Sequence, residues 1–104
     1  MEETRSKKDL KELFKSFLIH LNEFIDSKAV VEDTEIRILY LQEPEDIIDE
    51  YISRGAIKLE NAVFPIEVDF DYKLNVIKIN SEIFRFHLTL QQMLDFLKER
   101  GGGV

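Results

Sequence analysis

Between residues 64 and 72 the chain alternates without a break: Phe64, Ile66, Val68, Phe70 and Tyr72 fall on one side, Pro65, Glu67, Asp69 and Asp71 on the other. Successive side chains of a β-strand point to opposite faces, so this pattern demands a strand with one buried and one open face. Pro65 lacks an amide donor and places the start of the strand at an edge or a bulge. Val76 to Asn80 and Ile83 to Leu88 follow across short turns, and the three segments read as an antiparallel meander. Setting Val68 opposite Ile79 and Ile79 opposite Phe84 puts those three in one row, with Phe70, Ile77 and Phe86 in the next. The same register sets Asp69, Lys78 and Arg85 side by side on the other face as a favourable charge ladder. A slip of one residue would turn the phenylalanines to water.

A sheet with one apolar face needs a cover. Ser6 followed by Asp9 fits a capping box, and Leu10, Leu13, Phe14, Phe17, Leu18, Leu21, Phe24 and Ile25 keep helical spacing, which predicts a helix over about 6–28. Ile19 falls on its polar side. Thr89 and Gln92 form a second capping box, after which Leu90, Met93, Leu94 and Leu97 line a helix ending at Arg100. Between these, residues 35–41 read as an inner strand. Pro44 then suits the first turn of a short helix carrying Ile47, Ile48, Tyr51 and Ile52, with Gly55 as its stop. Residues 56–59 are an optional strand before a turn at Glu60 and Asn61. The expected fold is therefore α+β. An antiparallel sheet of about four strands, with the meander at 63–88, is packed on one face by the N- and C-terminal helices, in the order α-β-α-(β)-β-β-β-α. Residues 1–100 form a single domain and 101–104 a flexible C-terminal tail.

The chain has 104 residues, 44% of them hydrophobic, and eight of its aromatics are Phe, enough for one core without a staple. It has no cysteine, so disulfides, zinc-thiolate sites and thiol nucleophiles are excluded. No apolar run reaches the roughly 18 residues needed to cross a bilayer. The beginning of the chain is charged where a signal peptide would be apolar, so a cytoplasmic location is expected. A charged fraction of 34% without Cys is a bias also found in thermophile proteins.

The formal net charge of -7 is local. Residues 1–28 are neutral, and residues 29–72 hold twelve acidic groups against Arg37, Arg54 and Lys58. Residues 73–104 carry five basic groups against three acidic ones. A potential of this sign repels phosphate, so neither direct nucleic-acid binding nor docking on an anionic membrane is expected. A basic protein, or one whose own ligand is nucleic acid, is the compatible partner.

The candidate chemistry is carboxylate chemistry. Glu67, Asp69 and Asp71 project from one strand face about 7 Å apart and could hold a hard cation, and Asp71-Tyr72-Lys73 imitates the acidic-x-Lys element of metal-dependent nucleases. Against this stands a solvated face neutralised by Lys78 and Arg85. Glu43, Glu45, Asp46, Asp49 and Glu50 crowd the start of the expected second helix; dipole capping accounts for the first few and leaves the rest for a partner-facing patch. His20 and His87 stand apart, without a second histidine at ligand spacing. Gln91, Leu94 and Leu97 share the spacing of clamp-docking peptides but lack the paired aromatics, and the core needs the leucines. No nucleophile set, phosphate loop or dinucleotide fingerprint is present, and no cofactor is expected. The expectation is a small acidic, non-enzymatic adaptor or inhibitor, binding through Glu43, Glu45, Asp46, Asp49, Glu50, Glu67, Asp69 and Asp71. Two alternatives are a homodimer or other homo-oligomer that buries Ile19, Leu39 and Leu41, and a metal-dependent enzyme built on Glu67, Asp69 and Asp71.

Overall fold

The computed structural model describes residues 6–28 and 34–100; the expected tail at 101–104 lies outside the described residues. The elements run α1 (Lys7–Ile19), α2 (Leu21–Ser27), β1 (Ile36–Leu41), β2 (Glu45–Ile47), β3 (Glu50–Leu59), β4 (Ala62–Asp71), β5 (Val76–Ser81), β6 (Arg85–Thr89) and α3 (Leu90–Glu99). One antiparallel six-stranded sheet has the order β1-β3-β4-β5-β6, and β2 extends the β1 side by pairing with the start of β3. The helices lie on one face. The class is α+β as expected, with two strands more than the meander and β1 account for.

β2 and the first part of β3 replace the expected second helix, and the optional strand at 56–59 is the end of β3. Ile47, Ile48, Tyr51 and Ile52 imitate a helical stripe, but the chain reverses at Ile48 and Asp49 and returns as a strand, with Ile47 paired to Glu50. Asp49 sits at φ 62, a conformation that Asp tolerates better than most residues. Beyond it Tyr51, Ser53 and Ile57 are buried on the helix side, while Glu50, Ile52 and Arg54 face the other way. Ser53 hides this alternation from a hydrophobicity count. It is fully buried and polar, and its Oγ donates to the Gln42 carbonyl at 2.7 Å. Gly55, expected to stop a helix, instead lies inside β3 opposite Leu41 and Ile66.

The expected N-terminal helix is two helices. At His20 (φ -101, ψ 9) the amide donates to the Phe17 carbonyl at 3.0 Å, three residues back, which tightens the turn. The bend leaves the apolar spacing intact, so periodicity does not register it. It brings the Asn22 side chain to the edge of β1, where the amide nitrogen donates to the Ile36 carbonyl at 3.1 Å and Oδ1 accepts from the Ile38 amide at 2.7 Å. Both caps hold: Ser6 Oγ accepts from the Asp9 amide, and Thr89 and Gln92 satisfy each other's amides reciprocally.

The first hairpin of the meander has the expected register, with Val68 opposite Ile79 and Phe70 opposite Ile77. The second is offset by two residues: Ile79 faces Phe86 and Asn80 faces Arg85. An even offset keeps Phe84, Phe86 and Leu88 on the helix side, so the apolar pattern fits either register. The turn decides, because Ser81 Oγ accepts from the Ile83 amide at 3.0 Å and starts the reversal one residue later. The charge ladder is corrected accordingly. Asp69 and Lys78 are neighbours as expected, His87 completes their row, and Arg85 stands beside Asn80 in the row of Glu67.

The core is the helix-side face of the sheet against the three helices. Phe14 packs on Phe70 with ring centroids 5.7 Å apart, and Phe24 meets Phe17, Phe86 and Phe96 edge-on. Met93, Leu94 and Leu97 close the far side. At the β1 edge, Ile38 pairs with Ile57 and Tyr40 with Ala56, so Leu39 is the unpaired residue of a bulge, a device that blunts an open edge.

Candidate functional site

The eight acidic residues do not form one patch. Asp46 pairs with Tyr51 and so faces the helix side, where its carboxylate takes Lys7 Nζ at 2.7 Å and the Tyr72 hydroxyl at 3.4 Å. Tyr51 donates to the Lys7 carbonyl, and its ring lies 5.1 Å from that of Tyr72. The hydrogen bond that the Lys7 ammonium donates to Asp46, with a lesser one to Tyr72, holds it above its usual pKa. Glu43 reaches Lys15 of α1 at 3.6 Å, and Asp49 in the β2–β3 turn reaches Lys73 in the β4–β5 loop at 3.8 Å. Three of the five acids of this run, Glu43, Asp46 and Asp49, are thus spent on lysines of α1 and of a neighbouring loop.

The remainder lie on the sheet face away from the helices. Arg54 sits between two carboxylates, its Nε 3.0 Å from Glu67 and its NH1 3.1 Å from Glu45. Asp71 accepts the amides of Lys73 at 3.0 Å and Leu74 at 2.9 Å through Oδ1, and so shapes the β4–β5 loop. Its apparent acidic-x-Lys element is the start of that loop, and Lys73 turns to Asp49. Among the described residues no three His, Cys, Asp or Glu side chains are grouped as a metal ion would require.

Glu50 and Asp69 are left facing each other. Asp71 is opposite Glu50 and Asp69 opposite Ile52, so the two carboxyls are diagonal neighbours across β3 and β4. Asp69 Oδ1 is buried and has no hydrogen-bond partner among the described residues. Desolvation first, then the hydrogen bond and charge of Glu50 and the charge of Glu67, push the Asp69 carboxyl up to about 7, with Lys78 opposing. Burial and the neighbouring carboxylates thus favour the protonated form of Asp69.

This strain has a measurable sign. The folded pKa of Asp69 lies above its ordinary value of 3.8, so the folded chain holds a proton that the unfolded chain has lost. Its contribution is most favourable below about pH 4 and is lost as the pH rises to about 7. Asp69→Asn keeps the shape and removes the charge. The variant is expected to be more stable than the parent by about 1 kcal/mol at pH 8, a figure discounted for solvent screening, with the gap closing near pH 4. Urea titrations across this range check it; a variant less stable than the parent at pH 8 refutes it.

Sequence reasoning located Glu50 and Asp69 but did not single them out. It missed Arg54, Lys7, Tyr51 and Tyr72, because their roles depend on a hairpin read as a helix. Comparison with known protein families, with curated proteins and with solved structures finds no match to this chain.

Proposed function

We propose that the protein is a small, non-enzymatic protein-interaction module that receives a basic side chain of its partner on the acidic half of the open sheet face. The observation that carries this reading is the Glu50 and Asp69 pair: two carboxyls set diagonally across β3 and β4, one of them with a buried oxygen that lacks a donor among the described residues, on the face no helix covers. A lysine or arginine delivered there supplies the missing donor and the opposing charge, and converts a repulsive contact into a charge-assisted one. The other acids of the set are already answered by Lys7, Lys15, Arg54, Lys73 or loop amides, whereas Glu50 has no ion pair among the described residues and Asp69 has only its cross-strand neighbour Lys78, which forms no close ion pair with it. Partners whose own ligands are polyanions carry surfaces of the required sign.

Fluorescence anisotropy with a labelled arginine-rich peptide tests this. Binding is expected to weaken about tenfold or more between roughly 0.05 and 0.5 M salt and to be lost in Glu50→Gln with Asp69→Asn. Glu43→Gln is expected to bind as the parent does. Because the bound cation favours the ionised form of Asp69, affinity rises as the pH rises through about 7. Absent binding, or binding indifferent to the double variant, refutes the site.

A further inference from the structure

An open sheet has two edges, and an edge left bare recruits further strands. On the β1 side the edge is answered from within. The Asn22 side chain takes up the Ile36 carbonyl and the Ile38 amide as a neighbouring strand would, the bulge at Leu39 breaks the line beyond them, and β2 is a stub of three residues. The β6 side is different. The Ser81 amide donates to the Phe84 carbonyl and the Leu90 amide to the Asn75 carbonyl, so by the alternation of an antiparallel ladder Phe84, Phe86 and Leu88 bond inward to β5. Arg85 and His87 then turn both amide and carbonyl outward along the free edge, where no side chain among the described residues takes them. The next outward amide, that of Thr89, is held by Gln92, which closes the edge at the start of α3.

We infer that β6 accepts an extended acidic segment of a partner protein as a further antiparallel strand, with the acidic residues on the open sheet face and the apolar residues between them on the helix side. Strand addition draws its affinity from main-chain bonds and its specificity from alternate side chains. On the open face the side chains set opposite the incoming strand are those of Arg85 and His87, both exposed, and Arg85 enters no ion pair within the chain among the described residues. Lys78 stands one strand further in, between Asp69 and His87. Acidic residues placed here complete cross-strand pairs, whereas a basic strand would set like charge against Arg85. On the helix side a hollow of about 560 Å³ runs beside Phe86, between Phe24 and Phe96, and takes in Lys28, whose ammonium lies 4.9 Å from the Phe24 ring centre. Alternate apolar side chains of the added strand fill it. The two acids that α3 contributes to this hollow are already engaged, Asp95 accepting from Gln91 at 2.9 Å and Glu99 meeting Arg100 at 3.5 Å. Both faces therefore call for one pattern, acidic and apolar residues in turn. This edge is separate from the Glu50 and Asp69 receptor, and neither reading depends on the other.

The test titrates the full chain into a labelled peptide of about ten residues that alternates valine and glutamate. Fluorescence anisotropy is expected to show binding. In the complex the Arg85 and His87 amides are expected to gain protection from exchange, while the Ile38 amide, already held by Asn22, is unchanged. An antiparallel ladder sets glutamate amides opposite Arg85 and His87, so N-methylation of the peptide's glutamates is expected to abolish binding with the protein itself unaltered. Arg85→Glu is expected to weaken binding about fivefold or more, and Lys58→Glu, the same charge reversal on β3, to bind as the parent does. Circular dichroism confirms that both variants fold. Absent binding, equal binding of a valine and lysine peptide, or binding that survives N-methylation of the glutamates overturns the inference.

Discussion

Gly55→Ala is expected to cost the fold about 3 to 5 kcal/mol, a large effect for the addition of one methyl group. A Cβ at this position would lie 2.0 Å from the Tyr40 carbonyl oxygen, 2.9 Å from the Tyr40 carbonyl carbon and 3.0 Å from Leu41 Cα. All three are backbone atoms of β1, so no side chain can swing aside to make room. The bulge at Leu39 draws β1 in against β3 just where Leu41 pairs with Gly55. Relief therefore requires β1 to lift away from the sheet. That movement also breaks the bond from the Gln42 amide to the Arg54 carbonyl and the bond from Ser53 Oγ to the Gln42 carbonyl, leaving a buried hydroxyl without a partner. Urea denaturation of the variant measures the loss, and amide exchange locates it: β1 amides lose protection while those of β4 and β5 keep theirs. Lys58→Ala, on the outer face of the same strand, is expected to stay within about 0.5 kcal/mol of the parent. A Gly55→Ala variant as stable as the parent would mean that β1 does not make this approach.

The same glycine shows what the sequence could and could not reveal. Strands β4 and β5 were legible to within two residues at their ends and without error in their mutual register, because one buried and one open face impose a period of two that nothing in the segment contradicts. The capped ends of α1 and α3 were legible for a similar reason, each pairing a local cap with helical spacing. The stretch from Pro44 to Gly55 was not. Its apolar residues fall at positions that fit a helical stripe, its one buried polar residue breaks the strand pattern, and its glycine answers to a strand remote in sequence. The offset of the second hairpin was hidden differently, since a shift by two residues leaves every apolar side chain on its proper face. The turn distinguishes the registers, through the bond that Ser81 Oγ accepts from the Ile83 amide and the bond that the Ser81 amide donates to the Phe84 carbonyl.

The acidic site divided along the same line. A run such as Glu43 to Glu50 is visible in sequence, but its partners are not: Lys7 and Lys15 lie far upstream on α1, and Lys73 lies on a later loop. Ion pairs between exposed side chains contribute about 0 to 1 kcal/mol each, so the pairing says little about stability. It says more about availability. Once the other acids are matched with a cation or with loop amides, Glu50 and Asp69 remain, and their mutual repulsion marks where an outside cation gains most.

Phe17→Ala is expected to cost about 3 to 5 kcal/mol, comparable to Gly55→Ala and by the opposite route, a void in place of a clash. Phe17 is fully buried and is the point at which the three helices meet: its ring lies 5.6 Å from Phe24 of α2 and 5.8 Å from Phe96 of α3, edge-on to both. Truncation removes the transfer energy of the ring and both edge-to-face contacts, and leaves a cavity that three helices would have to shift together to fill. A domain of this size is stable by about 5 to 15 kcal/mol in total, so the variant is expected to be marginal or unfolded at 37 °C. Phe17→Leu retains most of the volume and is expected to lose less than about 1.5 kcal/mol, which separates the cavity from the aromatic contacts. Ile19, two residues on and 79% exposed, is the control, with Ile19→Ser changing stability by no more than about 0.5 kcal/mol. Thermal melts followed by circular dichroism rank the three. A Phe17→Ala variant that melts within a few degrees of the parent would show that the helices are held to the sheet independently, α1 through Phe14 on Phe70 and α2 through Phe24 on Phe86, without the contact that Phe17 makes between them.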